Sequence, residues 1–280
     1  MPENKDLGEY YLLQAAPAVL RARDFRLYTQ GGQRLVDLWQ NNGSAVLGHT
    51  PPSMLREIKN TASRGLYAPF PHFLEGRFIK ALSRLFPGRS FRLYAGAPAG
   101  LQPLLRDGAA ALWRPFLQPD SPFAAEENAP PVLIPVLPGI QGWRGGLPLG
   151  LCVLALSGDF RENCAGLPPG DFLSPVLLAA ATRGIYDLLA RPQRGKPAFK
   201  RIAKALQKSP WQRQGIYLSL RENPNTQTWA TLFYSFLEAG FLIPPVPHQP
   251  LILPDILSPG EEAKLAKMLS TAVDTGTETI

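Results

Sequence analysis

The residues able to carry chemistry are few and widely spaced. Histidine occurs at His49, His72 and His248 only, and cysteine at Cys152 and Cys164 only. Neither set has the ligand spacing of a zinc site, and two cysteines cannot build a disulfide framework. Lysine, the amine nucleophile of carbonyl chemistry, is absent between Lys80 and Lys196. Positive charge, by contrast, is concentrated. Arg191, Arg194, Lys196, Lys200, Arg201, Lys204, Lys208 and Arg213 follow one another with no acid among them, leaving 21 basic against 22 acidic residues elsewhere. Lys196, Lys200, Lys204 and Lys208 fall at i, i+4 steps, with Phe199, Ile202, Ala203 and Leu206 on the opposite face of a helix. A basic amphipathic helix binds nucleic acid, an acidic partner or a membrane surface, or it is a solvated face held to a core by its apolar stripe. Lys196, Lys200, Arg201, Lys204 and Lys208 are the candidate anion-binding residues. Aromatic side chains that would stack bases are limited there to Phe199 and Trp211.

The elements that must position these residues read as a mixed α/β chain. Arg26–Tyr28 and Arg34–Leu38 flank Gly31-Gly32 as a hairpin. Apolar residues at helical spacing predict helices from Pro52 to Gly65 and from Phe73 to Phe86. Phe91–Tyr94, Val132–Val136 and Leu151–Ser157 read as strands, and Leu101–Phe116 as helical between Pro103 and Pro115. Helices follow over Phe172–Leu189 and Pro197–Lys208, then a strand over Gly215–Leu220. Trp229, Leu232, Phe233, Phe236 and Leu237 form the stripe of another helix. Ser258-Pro259-Gly260-Glu261 has the form of a capping box opening the last one.

The 280 residues suffice for a sizeable core, and 45% hydrophobic with 18% charged residues excludes disorder. The 30 prolines are about twice the usual ~5% share. Many lie between Pro87 and Pro175, which predicts a loop-rich middle. Apolar runs such as Leu147–Leu156 are far short of a membrane span, and the first residues lack the basic region of a signal peptide, so the expected compartment is the cytoplasm.

Several segments, in order, resemble one family. Arg26-Leu27-Tyr28 through Asp37, then Asn42-Gly43-Ser44-Ala45-Val46-Leu47-Gly48-His49, then Ser63-Arg64-Gly65-Leu66, look like the N-terminal part of a class III aminotransferase of the glutamate-1-semialdehyde aminomutase kind. Leu173-Ser174-Pro175 with its alanine-rich helix, and Leu237-Glu238-Ala239-Gly240-Phe241-Leu242-Ile243-Pro244-Pro245, resemble C-terminal motifs of the same family. The resemblance implies an α/β fold of the pyridoxal phosphate (PLP)-dependent transferase type (fold type I). The stretch from Tyr94 to Gly150 is too short for the family's complete large domain. The expected organisation is therefore an N-terminal hairpin and helix pair over 1–90, a reduced large-domain remnant over 91–157, and a retained α+β small domain over 158–280.

What the family uses for chemistry is missing at the matching positions. Gly145-Gly146-Leu147-Pro148-Leu149-Gly150 resembles the run that follows the Schiff-base lysine, which places that lysine's position near Gln141, whose amide cannot form an imine. Val132-Leu133-Ile134-Pro135-Val136 offers no carboxylate for the pyridine nitrogen. No histidine lies between His72 and His248 to stack on the ring. Ala95-Gly96-Ala97-Pro98-Ala99 matches the phosphate cup, without its hydroxyls and with Pro98 removing a backbone donor. The resemblance thus implies a non-catalytic relative, a pseudoenzyme that binds no PLP and acts as a homodimer or as the partner of an intact aminotransferase. A rival is a working PLP enzyme using a displaced lysine, Lys196 or Lys200; a third reading is a basic-helix protein that binds nucleic acid. Asn42, Gly43, Ser44, His49, Ser63 and Arg64 are the candidate relic pocket. Asn41, Asn42 and Ser44 read equally as turn residues bonding local backbone, and His49 as a turn histidine.

Overall fold

The computed structural model describes residues 11–117, 129–139, 141–158, 160, 166–191 and 199–270. Lys196, Cys164 and most of the Pro119–Pro131 loop lie outside them.

The chain divides into two compact units, Met1–Asn42 with Arg194–Ile280, and Gly43–Gln193. The expected three consecutive segments are thus regrouped. The N-terminal hairpin joins the C-terminal third, while the helix pair joins the middle. The cause is one non-local pairing. Strand β3 (Arg34–Asp37) pairs in parallel with β11 (Phe241–Leu242), so the second unit is inserted between partners far apart in sequence.

In the first unit, β1 (Val19–Arg23), β2 (Arg26–Thr29) and β3 form an antiparallel set extended by β11. A second sheet orders β12 (Leu251–Ile252), β10 (Tyr217–Leu220) and β9 (Trp211–Gln214). The core is filled by Leu35, Leu38, Trp211, Trp229, Phe233 and Phe236 together with Leu265 and Leu269. Trp229, Phe233 and Phe236 lie on α6 (Thr226–Glu238), the striped helix; its N-cap is Asn225, whose side chain accepts from the Thr228 N–H. The last helix, α7 (Pro259–Ser270), opens on the capping box read from sequence. The Ser258 N–H donates to Glu261 Oε2 at 2.8 Å, and the Glu261 N–H to Ser258 Oγ at 3.2 Å. Glu261 also receives both Arg26 (2.7 Å) and Arg34 (3.3 Å), which fastens α7 to the hairpin. Burial pushes the Glu261 carboxyl up, but the Arg26 hydrogen bond and the cap hold it below the usual carboxylate range.

In the second unit, α1 (Pro52–Ala62) and α2 (Phe73–Leu85) pack on α4 (Pro175–Ala190). Proline opens α1, and Gly65, at φ +73°, turns the chain past its end. His72 is the N-cap of α2, its Nδ1 accepting from the Leu74 N–H at 3.2 Å. The sheet runs β4 (Ser90–Gly96), β8 (Leu147–Leu156), β6 (Val132–Pro135) and β5 (Ala110–Trp113), with β7 (Gly142–Arg144) paired to β8. The helix expected over Leu101–Phe116 is cut short. Only α3 (Leu101–Arg106) forms, Gly108 turns at φ +72°, and β5 pairs in parallel with β6. At Gly184 of α4 a Cβ would lie 2.5 Å from the Pro138 carbonyl oxygen, so only glycine admits this approach.

Candidate functional site

The position matched to the Schiff-base lysine is occupied by a structural amide. Gln141 follows the turn after β6 and is 2% exposed. Its Oε1 accepts from the Leu137 N–H at 3.0 Å. Its Nε2 donates to the Leu151 carbonyl at 2.8 Å and reaches the Pro135 carbonyl at 3.4 Å. One side chain therefore ties the end of β6 to β8, using a donor and an acceptor at once. A lysine amine supplies donors only.

The same turn is held from the other side. Gly139 donates its N–H to the Ser44 carbonyl at 2.9 Å, and Trp143 donates its indole N–H to Ser44 Oγ at 2.9 Å. Ser44 is buried, so its hydroxyl and carbonyl both serve this packing. Of the other candidate pocket residues, Gly43 turns the chain at φ +102° and His49 is half-buried in the following turn. Ser63 and Arg64 do not join Ser44. They are exposed at the end of α1, where Ser63 Oγ donates to the Asn60 carbonyl and the Arg64 N–H to the Thr61 carbonyl. Eleven helical residues at ~1.5 Å each separate the two ends of α1. The six-residue relic pocket is therefore not gathered into one site.

At the cup-like turn the chain itself takes one backbone donor. Ala95 and Gly96 end β4, and Ala97 and Pro98 lead into α3, which is only six residues long. The Ala95 N–H donates to Asp171 Oδ2 at 2.9 Å, so a carboxylate of the chain itself takes a backbone donor at this turn. The 166–171 segment is clamped along β4. Arg92 and Tyr94 donate to the Leu167 and Pro168 carbonyls at 3.0 and 2.8 Å, and the Asp171 N–H donates to the Leu93 carbonyl at 2.8 Å. A phosphate at this turn would face the Asp171 charge. At the positions matched by the resemblance, Gln141 supplies no amine and the Ala95 N–H is taken by Asp171, so these two residues do not fit the roles of Schiff-base lysine and open phosphate donor.

Asn42 belongs to a run of which the sequence patterns singled out Asn41 and Asn42 but not Gln40. Gln40, Asn41 and Asn42 lie at φ +49°, +48° and +55°, three consecutive non-glycine residues in the left-handed region. Such backbone costs on the order of 1–3 kcal/mol per residue and persists where neighbours over-determine it. Here Asp37 does so, accepting from the Trp39 and Gln40 N–H groups at 2.9 and 2.8 Å. Gln40 Nε2 donates to the Ile252 carbonyl at 3.0 Å, and Trp39 Nε1 to Gln249 Oε1 at 2.9 Å. The buried far atoms, Gln40 Oε1 and Gln249 Nε2, have no hydrogen-bond partner among the described residues. The amide-rich run 40–42 was the available signal; the anchoring of this turn on Gln249 and Ile252, more than 200 residues on, was not legible.

The basic row is partly as expected. Lys200, Arg201 and Lys204 are exposed on α5 (Lys200–Leu206), and Lys208 is exposed in the turn beyond. Ile202 is fully buried and Leu206 half-buried, but Ala203, expected on the same inner face, is exposed. Arg201 is anchored: its Nη1 donates to the Pro259 carbonyl at 3.0 Å and its backbone N–H to Glu262 at 2.8 Å. Phe199 and Trp211 are buried, so neither offers a stacking face. Among the described residues no cluster of metal-ligating side chains occurs, and no helix is long and apolar enough to cross a membrane. Cys152 is fully buried, and burial pushes its thiol up to about 12.

No protein-family model matches the chain. It is 30% identical over 190 residues to an uncharacterised protein of Treponema pallidum, covering 64% of this chain and 57% of that protein. A stretch of 69 residues, 25% of this chain, is 32% identical to glutamate-1-semialdehyde 2,1-aminomutase of Sorangium cellulosum, of which it spans 16%. The chain thus spans little more than half of the first relative and far less of the second. Solved structures agree over a longer range. Ornithine δ-aminotransferase of Plasmodium falciparum superposes with a TM-score of 0.63 at 12% identity over 92% of each chain. Acetylornithine aminotransferase of Elizabethkingia anophelis gives a TM-score of 0.62 at 11% identity, over 91% of this chain and 93% of the other.

Proposed function

The chain has the fold of the class III PLP-dependent aminotransferases (fold type I), and from that premise we propose that it is a pseudoenzyme, a non-catalytic relative that holds no PLP and acts through binding. The observation that carries this reading is Gln141. It stands where the resemblance puts the reactive amine, and both ends of its amide are committed to backbone of the β6 turn and β8. Support also comes from the cup-like turn, where Asp171 takes the Ala95 donor and Pro98 has none to give. The binding role is that of a cytoplasmic dimer subunit, pairing with its own copy or with an intact aminotransferase. Tyr67, Phe70 and Phe73 are each more than half exposed within seven residues, an apolar patch of the kind a partner covers.

The purified chain mixed with PLP tests the catalytic half of the proposal. The expected spectrum is that of free PLP with no internal aldimine band, and borohydride followed by mass spectrometry leaves the lysines unmodified. A reducible band fixed onto one lysine, with Lys196 and Lys200 the first to inspect, would establish the displaced-lysine enzyme instead.

A further inference from the structure

We propose that the exposed face of α5 and the turn after it is a docking surface for the phosphate backbone of duplex nucleic acid. This goes beyond the pseudoenzyme reading and does not depend on it. Lys200, Arg201, Lys204 and Lys208 are all exposed there. The Gln207 and Lys208 N–H groups donate back to the Lys204 and Ala205 carbonyls, so the helical path continues to Lys208. At ~1.5 Å per residue the three lysines stand ~6 Å apart along a row of ~12 Å. Arg221, whose backbone N–H donates to the Pro210 carbonyl two residues past Lys208, is also exposed, with the exposed Glu222 next to it. From Arg191 to Arg221 the chain contains no acid. An acid beside the row, Glu262, accepts from the Arg201 backbone N–H.

Charge complementarity demands an anionic partner, and the chemistry of the face selects among them. A membrane surface is disfavoured because the apolar side of α5 is consumed: Ile202 is 0% exposed and packs in the core with Leu265 and Leu269. No apolar wedge remains to enter a lipid interface. Single strands are disfavoured because Phe199 and Trp211 are buried and give bases nothing to stack on. An acidic protein surface presents sparser charge than a duplex, and exposed ion pairs with it gain little each and are screened by salt. A duplex carries one charge per ~1.7 Å and releases condensed ions when lysines approach, which rewards a row of point charges without directional pairing. Lysine in three of the four positions predicts binding that follows phosphate density and ignores sequence.

The test is fluorescence anisotropy of a labelled duplex DNA with the full chain, titrated at several KCl concentrations. Four phosphate contacts predict a log–log salt slope of about −3.6, an affinity loss of roughly 150-fold between ~50 and ~200 mM salt. The K200Q/K204Q/K208Q variant, with circular dichroism matching the parent, should lower that slope by about 2.7. K59Q/K80Q, which removes exposed lysines of the other unit, should leave it unchanged. A duplex RNA of the same sequence should compete, and poly-glutamate or phosphatidylserine vesicles should compete more weakly. The proposal is overturned if no binding develops at ~100 µM protein in low salt, if the triple variant binds as the parent does, or if poly-glutamate or the vesicles compete as well as duplex.

Discussion

Replacing Gln141 by lysine restores the amine that the class III resemblance calls for, and the buried contacts at that position decide whether the chain tolerates it. The side chain is 2% exposed and meets the Leu137 N–H at 3.0 Å and the Leu151 carbonyl at 2.8 Å. Lysine keeps a donor for Leu151 but offers no acceptor, so the Leu137 N–H is left buried and unmade at a cost of about 1–3 kcal/mol. The amine must also enter an apolar turn as the neutral base, which adds to the loss. Q141K should therefore be less stable than the parent by about 2–4 kcal/mol. Q141M, which has the same length and no hydrogen bonds, should lose a comparable amount. Urea unfolding followed by tryptophan fluorescence measures both. PLP added to folded Q141K should yield no reducible imine, because neither the ring partner nor the phosphate donors return with the amine. A Q141K protein as stable as the parent, which forms an aldimine at that lysine, would show that Gln141 is no structural tie and that the pocket around it is intact.

The same geometry makes further demands. E261Q removes the charge shared with Arg26 and Arg34 and should cost about 1–3 kcal/mol by urea unfolding. Because the folded-state value of Glu261 lies below the ordinary 4.5, its stabilisation is full above that pH and is lost as pH falls through the folded value; E261Q should show a shallower acid loss. G184A drives a methyl to 2.5 Å from the Pro138 carbonyl oxygen and should lower stability by about 1–3 kcal/mol, whereas alanine at open Gly76 should not. Cys152, buried and raised to about 12, should resist iodoacetamide until the chain is unfolded, as peptide mapping would reveal. F70S/F73S should shift light scattering from dimer to monomer at micromolar concentration, while K200E/K204E leaves the dimer intact.

Sequence patterns carried furthest where a local rule was enough. The Pro52 and Phe73 helices, the 26–37 hairpin and the Ser258–Glu261 box all appear where spacing and capping chemistry placed them. They failed where a distant partner decided the outcome. Ala110–Trp113 is a strand only because β6 lies beside it, and β11 and β12, two residues each, are too short to announce themselves. The unit boundaries were hidden for the same reason, since the parallel pairing of Phe241 with Val36 spans the whole inserted unit. At the candidate site the missing lysine and hydroxyls were plain from composition and order. The contacts made by the residues at these positions were not. Gln141 bonding Leu137 and Leu151, Asp171 on Ala95, and Trp39 on Gln249 all depend on tertiary placement.

If this aminotransferase fold has no cofactor site left to load, pyridoxamine 5′-phosphate is the sharpest probe of that loss, because its binding needs no lysine. Calorimetric titration of the parent chain with that compound isolates the phosphate and ring contacts from imine chemistry. With Asp171 on the Ala95 donor and Pro98 at the turn, no saturable heat is expected up to millimolar ligand. Saturable one-to-one binding at micromolar concentration, abolished by substitutions at Ala95–Pro98, would mean that the cofactor site survives.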